Sequence, residues 1–222
     1  MKEQEPAIWL GLCSNHIQTT IFLFSTVMNI CVFCSSSNAV NQSYFDHAEQ
    51  LGQLIGSRKH SLIYGGANVG LMEHVAQSVK ANGGHITGVI PQKIHDNDLS
   101  STHPDELIIT PTMDARKNIM REKSDAFISL PGGFGTLEEI LEVITLKQLD
   151  YHQKPVVFIN TNHFFDALFR QFEHSYVEMF AKENYRKIYK VAENPLEAIS
   201  YIENYKHEQV DSKWFKVPEK KE

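Results

Sequence analysis

Two glycine-rich stretches and three charged residues carry most of the chemistry open to this sequence. The first stretch is Tyr64-Gly65-Gly66-Ala67-Asn68-Val69-Gly70-Leu71-Met72; the second is Leu130-Pro131-Gly132-Gly133-Phe134-Gly135-Thr136. Glycine adopts positive φ and lets a ligand approach the main chain closely. The start of a following helix presents unpaired amides and a partial positive charge, which suits phosphate. Neither stretch continues into Gly-Lys-Ser/Thr, so neither is a P-loop, and neither has the glycine spacing of a dinucleotide fingerprint. The alternative is that each is only a tight strand-to-helix turn; two on one sheet edge weigh against that.

Glu139 reads in two ways. Thr136-Leu137-Glu138-Glu139 fits a capping box, with Thr136 capping a helix and Glu139 reaching back. The same carboxylate also stands one turn from a candidate phosphate cradle, where it would address another part of the ligand, such as a sugar. Arg116 and Lys117 fall in the opening turn of a helix capped by Thr112 or Asp114. There they oppose the helix dipole at about 0.3–1 kcal/mol each. A local rule broken in this way marks a place that holds an anion, unless both side chains simply extend into solvent. Cys31 and Cys34 have redox spacing but sit inside a strand pattern, not at a helix start. The 11 histidines are scattered without a helical pair at ligand spacing, so no metal is expected.

The elements that must position these residues alternate. Apolar, β-branched runs at 30–34, 61–64, 85–90, 107–110, 126–130 and 156–159 predict strands. Helical patterns occupy 42–58, 71–82, 113–122, 137–149, 165–178 and 195–205, with Pro195 in a first turn. Near-continuous apolar strands separated by helices predict an α/β fold, a Rossmann-like doubly wound parallel sheet with helices on both faces. Both glycine turns then sit at carboxyl ends of strands, where such sheets bind ligands.

Composition narrows the class. The 222 residues carry 21 Lys+Arg against 27 Asp+Glu, a formal net charge of −6. That excludes a basic nucleic-acid footprint. Hydrophobic residues at 42% and charged residues at 22% describe an ordinary globule and not a disordered chain. Three cysteines make no disulfide framework, which favours a reducing, cytoplasmic setting. No run reaches the ~18 apolar residues of a membrane span. Residues 1–27 read as an N-terminal extension, with a natural start expected at Met28. Residues 28–205 form the Rossmann-like domain. Residues 206–222 form a charged tail in which Trp214 and Phe215 suggest docking.

Together these residues resemble a known family. Pro131-Gly132-Gly133-Phe134-Gly135-Thr136-Leu137-Glu138-Glu139 is similar to the PGGxGTxxE motif of the LOG family, the cytokinin riboside 5′-monophosphate phosphoribohydrolases. Met113-Asp114-Ala115-Arg116-Lys117-Asn118-Ile119-Met120 resembles its MHxRKxxM motif. Residues 31–37, 64–72 and 83–91 resemble its opening strand and loop, first glycine turn and GGxVxGVIP segment. The sequence departs at Ser35, Ala67, Glu73 and Asp114; the last two bring negative charge toward the expected phosphate region.

The resemblance implies a Rossmann-like homodimer with active sites near the subunit interface, and no metal or redox cofactor. It implies hydrolysis of the N-glycosidic bond of a (prenylated) adenosine 5′-monophosphate to free base and ribose 5-phosphate. Glu139 would serve the developing oxocarbenium charge, as carboxylates do in glycoside hydrolysis. Arg116 would anchor phosphate and orient Glu139. Backbone amides of Gly132, Gly133, Gly135 and Thr136, with the Thr136 hydroxyl, would cradle phosphate. Met113, Lys117, Ser36, Gly65, Gly66 and Gly70 would complete the binding cleft. A rival reading is a non-catalytic carrier of a nucleotide or phosphorylated cofactor. The label lysine decarboxylase that the family has carried is disfavoured, since a pyridoxal enzyme needs a Schiff-base lysine and no His-Lys pair stands in this sequence.

Overall fold

The computed structural model describes residues 27–211 and 213. Seven strands form one parallel sheet: β1 (Asn29–Phe33), β2 (Ser61–Tyr64), β3 (His85–Pro91), β4 (Glu106–Thr110), β5 (Ala126–Ser129), β6 (Val156–Ile159) and β7 (Lys190–Ala192). Their spatial order is β4-β3-β2-β1-β5-β6-β7. The chain winds outward from β1 in one direction, returns, and winds outward again from β5, as a doubly wound sheet does. β1 therefore pairs with both β2 and β5, with Cys31 opposite Ile63 on one side and Phe127 on the other.

The helices are α1 (Gln42–Ser57), α2 (Gly70–Ala81), α3 (Gln92–His95), α4 (Met113–Lys123), α5 (Phe134–Gln148), α6 (Asp166–Val177) and α7 (Pro195–Glu203). Strand side chains alternate between two cores. Ile30 and Val32 face α1, α2 and α7 through Leu51, Ile55, Val75, Val79 and Ile199. Cys31 and Phe33 face α4, α5 and α6 through Met120, Ile140, Val143 and Phe169. With both faces covered, β1, β5 and β6 can be apolar at nearly every position, which is the pattern read from the sequence.

Three elements differ from expectation. β7 spans only three residues and α3 a single turn, too short to leave a periodic signal. α5 starts at Phe134, not Leu137, with Gly133 as its N-cap. Thr136 thus lies inside the first turn, and the capping-box reading of Thr136 and Glu139 fails. The N-terminal extension lies outside the described residues but for Val27, as do Cys13, Trp214 and Phe215. Of the charged tail, residues 206–211 run without regular structure and are pinned where the Tyr185 hydroxyl donates to the Asp211 carbonyl at 3.2 Å. No helix among the described residues is long and apolar enough to cross a membrane.

Candidate active site

At the carboxyl ends of β1 and β5 the chain departs to opposite faces of the sheet, and the gap opens a cleft of about 580 Å³. The loops after these strands are tied by the Ser35 N–H, which donates to the Pro131 carbonyl at 3.2 Å. The cleft is lined by Ser36 with its neighbours Ser35 and Ser37, by Gly65, Met113 and Arg116, and by Gly133, Phe134, Gly135, Thr136, Glu138 and Glu139. Val69, Met72, Ile94 and Leu99 add an apolar wall.

The two charged residues expected to do the chemistry meet here. Thr112 caps α4, its hydroxyl accepting from the Ala115 N–H at 3.1 Å. Arg116, one turn in, drops its side chain toward the end of β3. Its Nε donates to the Val89 carbonyl at 2.9 Å, and its Nη1 donates to Glu139 Oε1 at 2.5 Å. The two side chains are only 10% and 12% exposed, so this ion pair is largely screened from water. Gly65 makes the arrangement possible: a Cβ there would collide with Arg116 Nη2 and come within 2.8 Å of Met72 Sδ. Burial pushes the Glu139 carboxyl above its ordinary range, and the neighbouring Arg116 cation pulls partly back.

Above the pair lies the start of α5. Its first internal bond runs from the Leu137 N–H to the Gly133 carbonyl at 3.0 Å. The amides of Phe134, Gly135 and Thr136 therefore have no acceptor within the helix. A Cβ on Gly133 or Gly135 would meet nothing within 4 Å. Neither glycine is required by its own φ or by a neighbouring atom, so the bare main chain faces open space. Phe134, 93% exposed, stands at the rim.

Four expected site residues fall elsewhere. Gly66, Gly70 and Gly132 lie behind the cleft. Gly70 (φ +60°) packs so tightly on the 35–37 loop that a Cβ would strike the Ser36 backbone, and its N–H donates to Asn38 Oδ1 at 2.8 Å. A Cβ on Gly132 would strike the Thr136 hydroxyl. Lys117 stands beside the cleft without lining it, its Nζ 2.5 Å from Glu138 Oε1 and 3.3 Å from Glu142 Oε2. The departures at Asp114 and Glu73 do not charge the cleft either. The Asp114 side chain is 90% exposed, and Glu73 pairs with His103 at 3.1 Å. Cys31 and Cys34 are buried, free thiols pushed far up by that burial, which removes them as nucleophiles. Ile94 and Leu99 belong to the cleft but carried no sequence signal, because the β3–β4 connection that brings them has no motif.

A doubly wound sheet with a glycine-rich turn and a buried Arg–Glu pair at its switch point defines a Rossmann-like fold with a candidate ligand site, and relatives narrow it. The family model described as "Possible lysine decarboxylase" matches residues 72–202. From Arabidopsis thaliana, cytokinin riboside 5′-monophosphate phosphoribohydrolase LOG5 is 39% identical over 82% of this chain and 80% of its own length. LOG4 of the same plant is 41% identical over 83% and 86%. The chain belongs to this LOG family. Among solved structures, the molybdenum cofactor binding protein of Rippkaea orientalis superposes with a TM-score of 0.62 at 30% identity, over 79% of this chain and 95% of that one. The Chlamydomonas reinhardtii molybdenum cofactor carrier protein gives 0.61 at 24% and shares the fold.

Proposed function

We propose that this protein hydrolyses the N-glycosidic bond of adenosine 5′-monophosphate or its prenylated form, giving free base and ribose 5-phosphate. The observation that carries the reading is the buried Arg116–Glu139 pair directly beneath the open amides of α5. The phosphate sits on the amides of Phe134, Gly135 and Thr136 and the Thr136 hydroxyl beside the bare Gly133, where the helix dipole favours an anion. The base lies against Val69, Met72, Leu99 and Met113, an apolar wall that suits a ring and a prenyl group.

This pose brings the Glu139 carboxylate to the ribose. As the C1′–N9 bond breaks, positive charge grows on the sugar and the carboxylate stabilises it. Water adds its oxygen to C1′, and Glu139 takes the proton that the water loses. The protonated Glu139 then gives that proton to the base nitrogen freed from C1′, so the base leaves neutral and the carboxylate is restored. Arg116 holds Glu139 in place and keeps part of its carboxyl ionised against burial. A guanidinium does not surrender its proton, so Arg116 is no acid in the reaction. Two subunits are proposed to pair near the cleft, in line with the exposure of Phe134 and Met113 at its rim.

The decarboxylase description does not fit, because no lysine among the described residues lines the cleft to form a Schiff base. The likeness to the molybdenum cofactor binding protein keeps one second reading, a carrier that holds a phosphorylated ligand without cleaving it. Chromatography of products from adenosine monophosphate, its prenylated form and the unphosphorylated ribosides decides between them. Free base from the monophosphates alone supports the hydrolase; tight binding without product supports the carrier.

A further inference from the structure

Lys117 follows Arg116 in sequence but does a different job. Its side chain is 12% exposed; beyond a looser contact with the solvent-exposed Asp114 at 3.9 Å, it reaches across from α4 to α5, where Nζ meets Glu138 Oε1 at 2.5 Å and Glu142 Oε2 at 3.3 Å. The two carboxylates are not equivalent. Glu142 has a second cation, Arg121 Nη1 at 2.6 Å, and does not line the cleft. Glu138 does line it, and among the described residues Lys117 is its one paired cation. Left uncompensated, Glu138 would set a negative charge one turn from the amides that await an anion, and would offset the partial positive charge with which the helix start attracts it.

We propose that Lys117 is a charge-balancing residue of the phosphate site: it neutralises Glu138, and so lets a phosphorylated ligand reach the Gly133–Thr136 amides without touching that ligand. This rests on the ligand reading above, with Lys117 acting on affinity and Glu139 on the chemical step. The pairing also explains why a lysine beside the cleft does not line it.

The test is calorimetric titration of the full chain with ribose 5-phosphate and with adenosine, for wild type, Lys117→Gln, Glu138→Gln and the double variant. At low salt Lys117→Gln weakens ribose 5-phosphate binding by about fivefold, and the effect shrinks as salt is added. Glu138→Gln tightens it, and the double variant returns to within about twofold of wild type, since the carboxylate that needed balancing is gone. Adenosine affinity is the same in all four. In the hydrolysis assay Lys117→Gln raises KM and leaves kcat within about twofold. Three results overturn the proposal: wild-type affinity in Lys117→Gln, a loss that persists in the double variant, or an equal loss for adenosine. Either of the last two would make Lys117 a plain brace between α4 and α5. Should Lys117→Gln fail to fold, Glu138→Gln alone decides, and unchanged affinity refutes the idea. Absence of base release with these affinity changes intact would sink the hydrolase reading and leave this one standing.

Discussion

The two glycine turns look alike in sequence and differ in what their glycines are for. In the β2–α2 turn the protein itself uses them. Gly65 makes room for the Arg116 guanidinium, and Gly70 (φ +60°) lies against the Ser35–Ser37 backbone. The amides at that helix start are already spent, Gly70 N–H on Asn38 and Leu71 N–H on the Ser35 carbonyl at 2.9 Å. In the β5–α5 turn the amides have no internal acceptor, and Gly133 and Gly135 face open space. A glycine that nothing inside the protein demands is the better mark of a ligand. One turn builds the wall of the cleft; the other, in the proposed reading, holds what enters it.

The largest expected effect separates chemistry from binding. Glu139→Gln should lower kcat by about a thousandfold while ribose 5-phosphate affinity stays within a few fold, measured by steady-state kinetics and calorimetry. Retained turnover would move the chemistry away from α5 altogether. Arg116→Gln should cost both activity and about 3 kcal/mol of stability in denaturant unfolding, because it leaves Glu139 buried without its cation.

The glycine contrast is broken or sharpened by alanine. Gly70→Ala forces a Cβ into the Ser36 backbone at positive φ and should cost about 2–4 kcal/mol. Gly135→Ala meets no atom and lies within a helix, so it should hold or raise stability by about 0.5–1 kcal/mol. Its cost should appear as an approximately tenfold higher KM from the methyl in the phosphate path. Equal behaviour of the two variants would erase the distinction between the turns.

The pH profile gives the gentlest test. Burial holds the Glu139 carboxyl above the usual glutamate range, and the proposed reaction needs the carboxylate. The acid limb of kcat should therefore fall at a higher pH than an exposed glutamate gives, and in Arg116→Gln it should move higher still, because the cation that lowers the carboxyl is gone. The link to folding has the opposite sense. A raised carboxyl adds stability below its unfolded value and loses it as pH rises through the folded one.

Much of this was legible in advance, for identifiable reasons. Apolar strands such as Val156–Ile159, buried on both faces, write their parallel sheet into composition. Arg116 was legible because a cation in a helix's opening turn breaks a local rule, and Glu139 because it stands one turn from a glycine-rich cradle. The start of α5 was not, because Pro-Gly-Gly-Phe-Gly reads as turn and Thr136 imitates a cap, whereas the helix begins at Phe134. Lys117 read as a phosphate ligand because its partners Glu138 and Glu142 stand on another helix. Ile94 and Leu99 reach the cleft only through tertiary docking, Asn68 N–H bonding the Leu99 carbonyl at 2.9 Å.

The division of labour between the turns is tested most directly by amide NMR of the protein titrated with ribose 5-phosphate. Resonances of Gly133, Phe134, Gly135 and Thr136 should shift strongly in a saturable way while those of Gly70 and Leu71 stay nearly still. Shifts centred on Gly70 and Leu71, with α5 unmoved, would contradict the account.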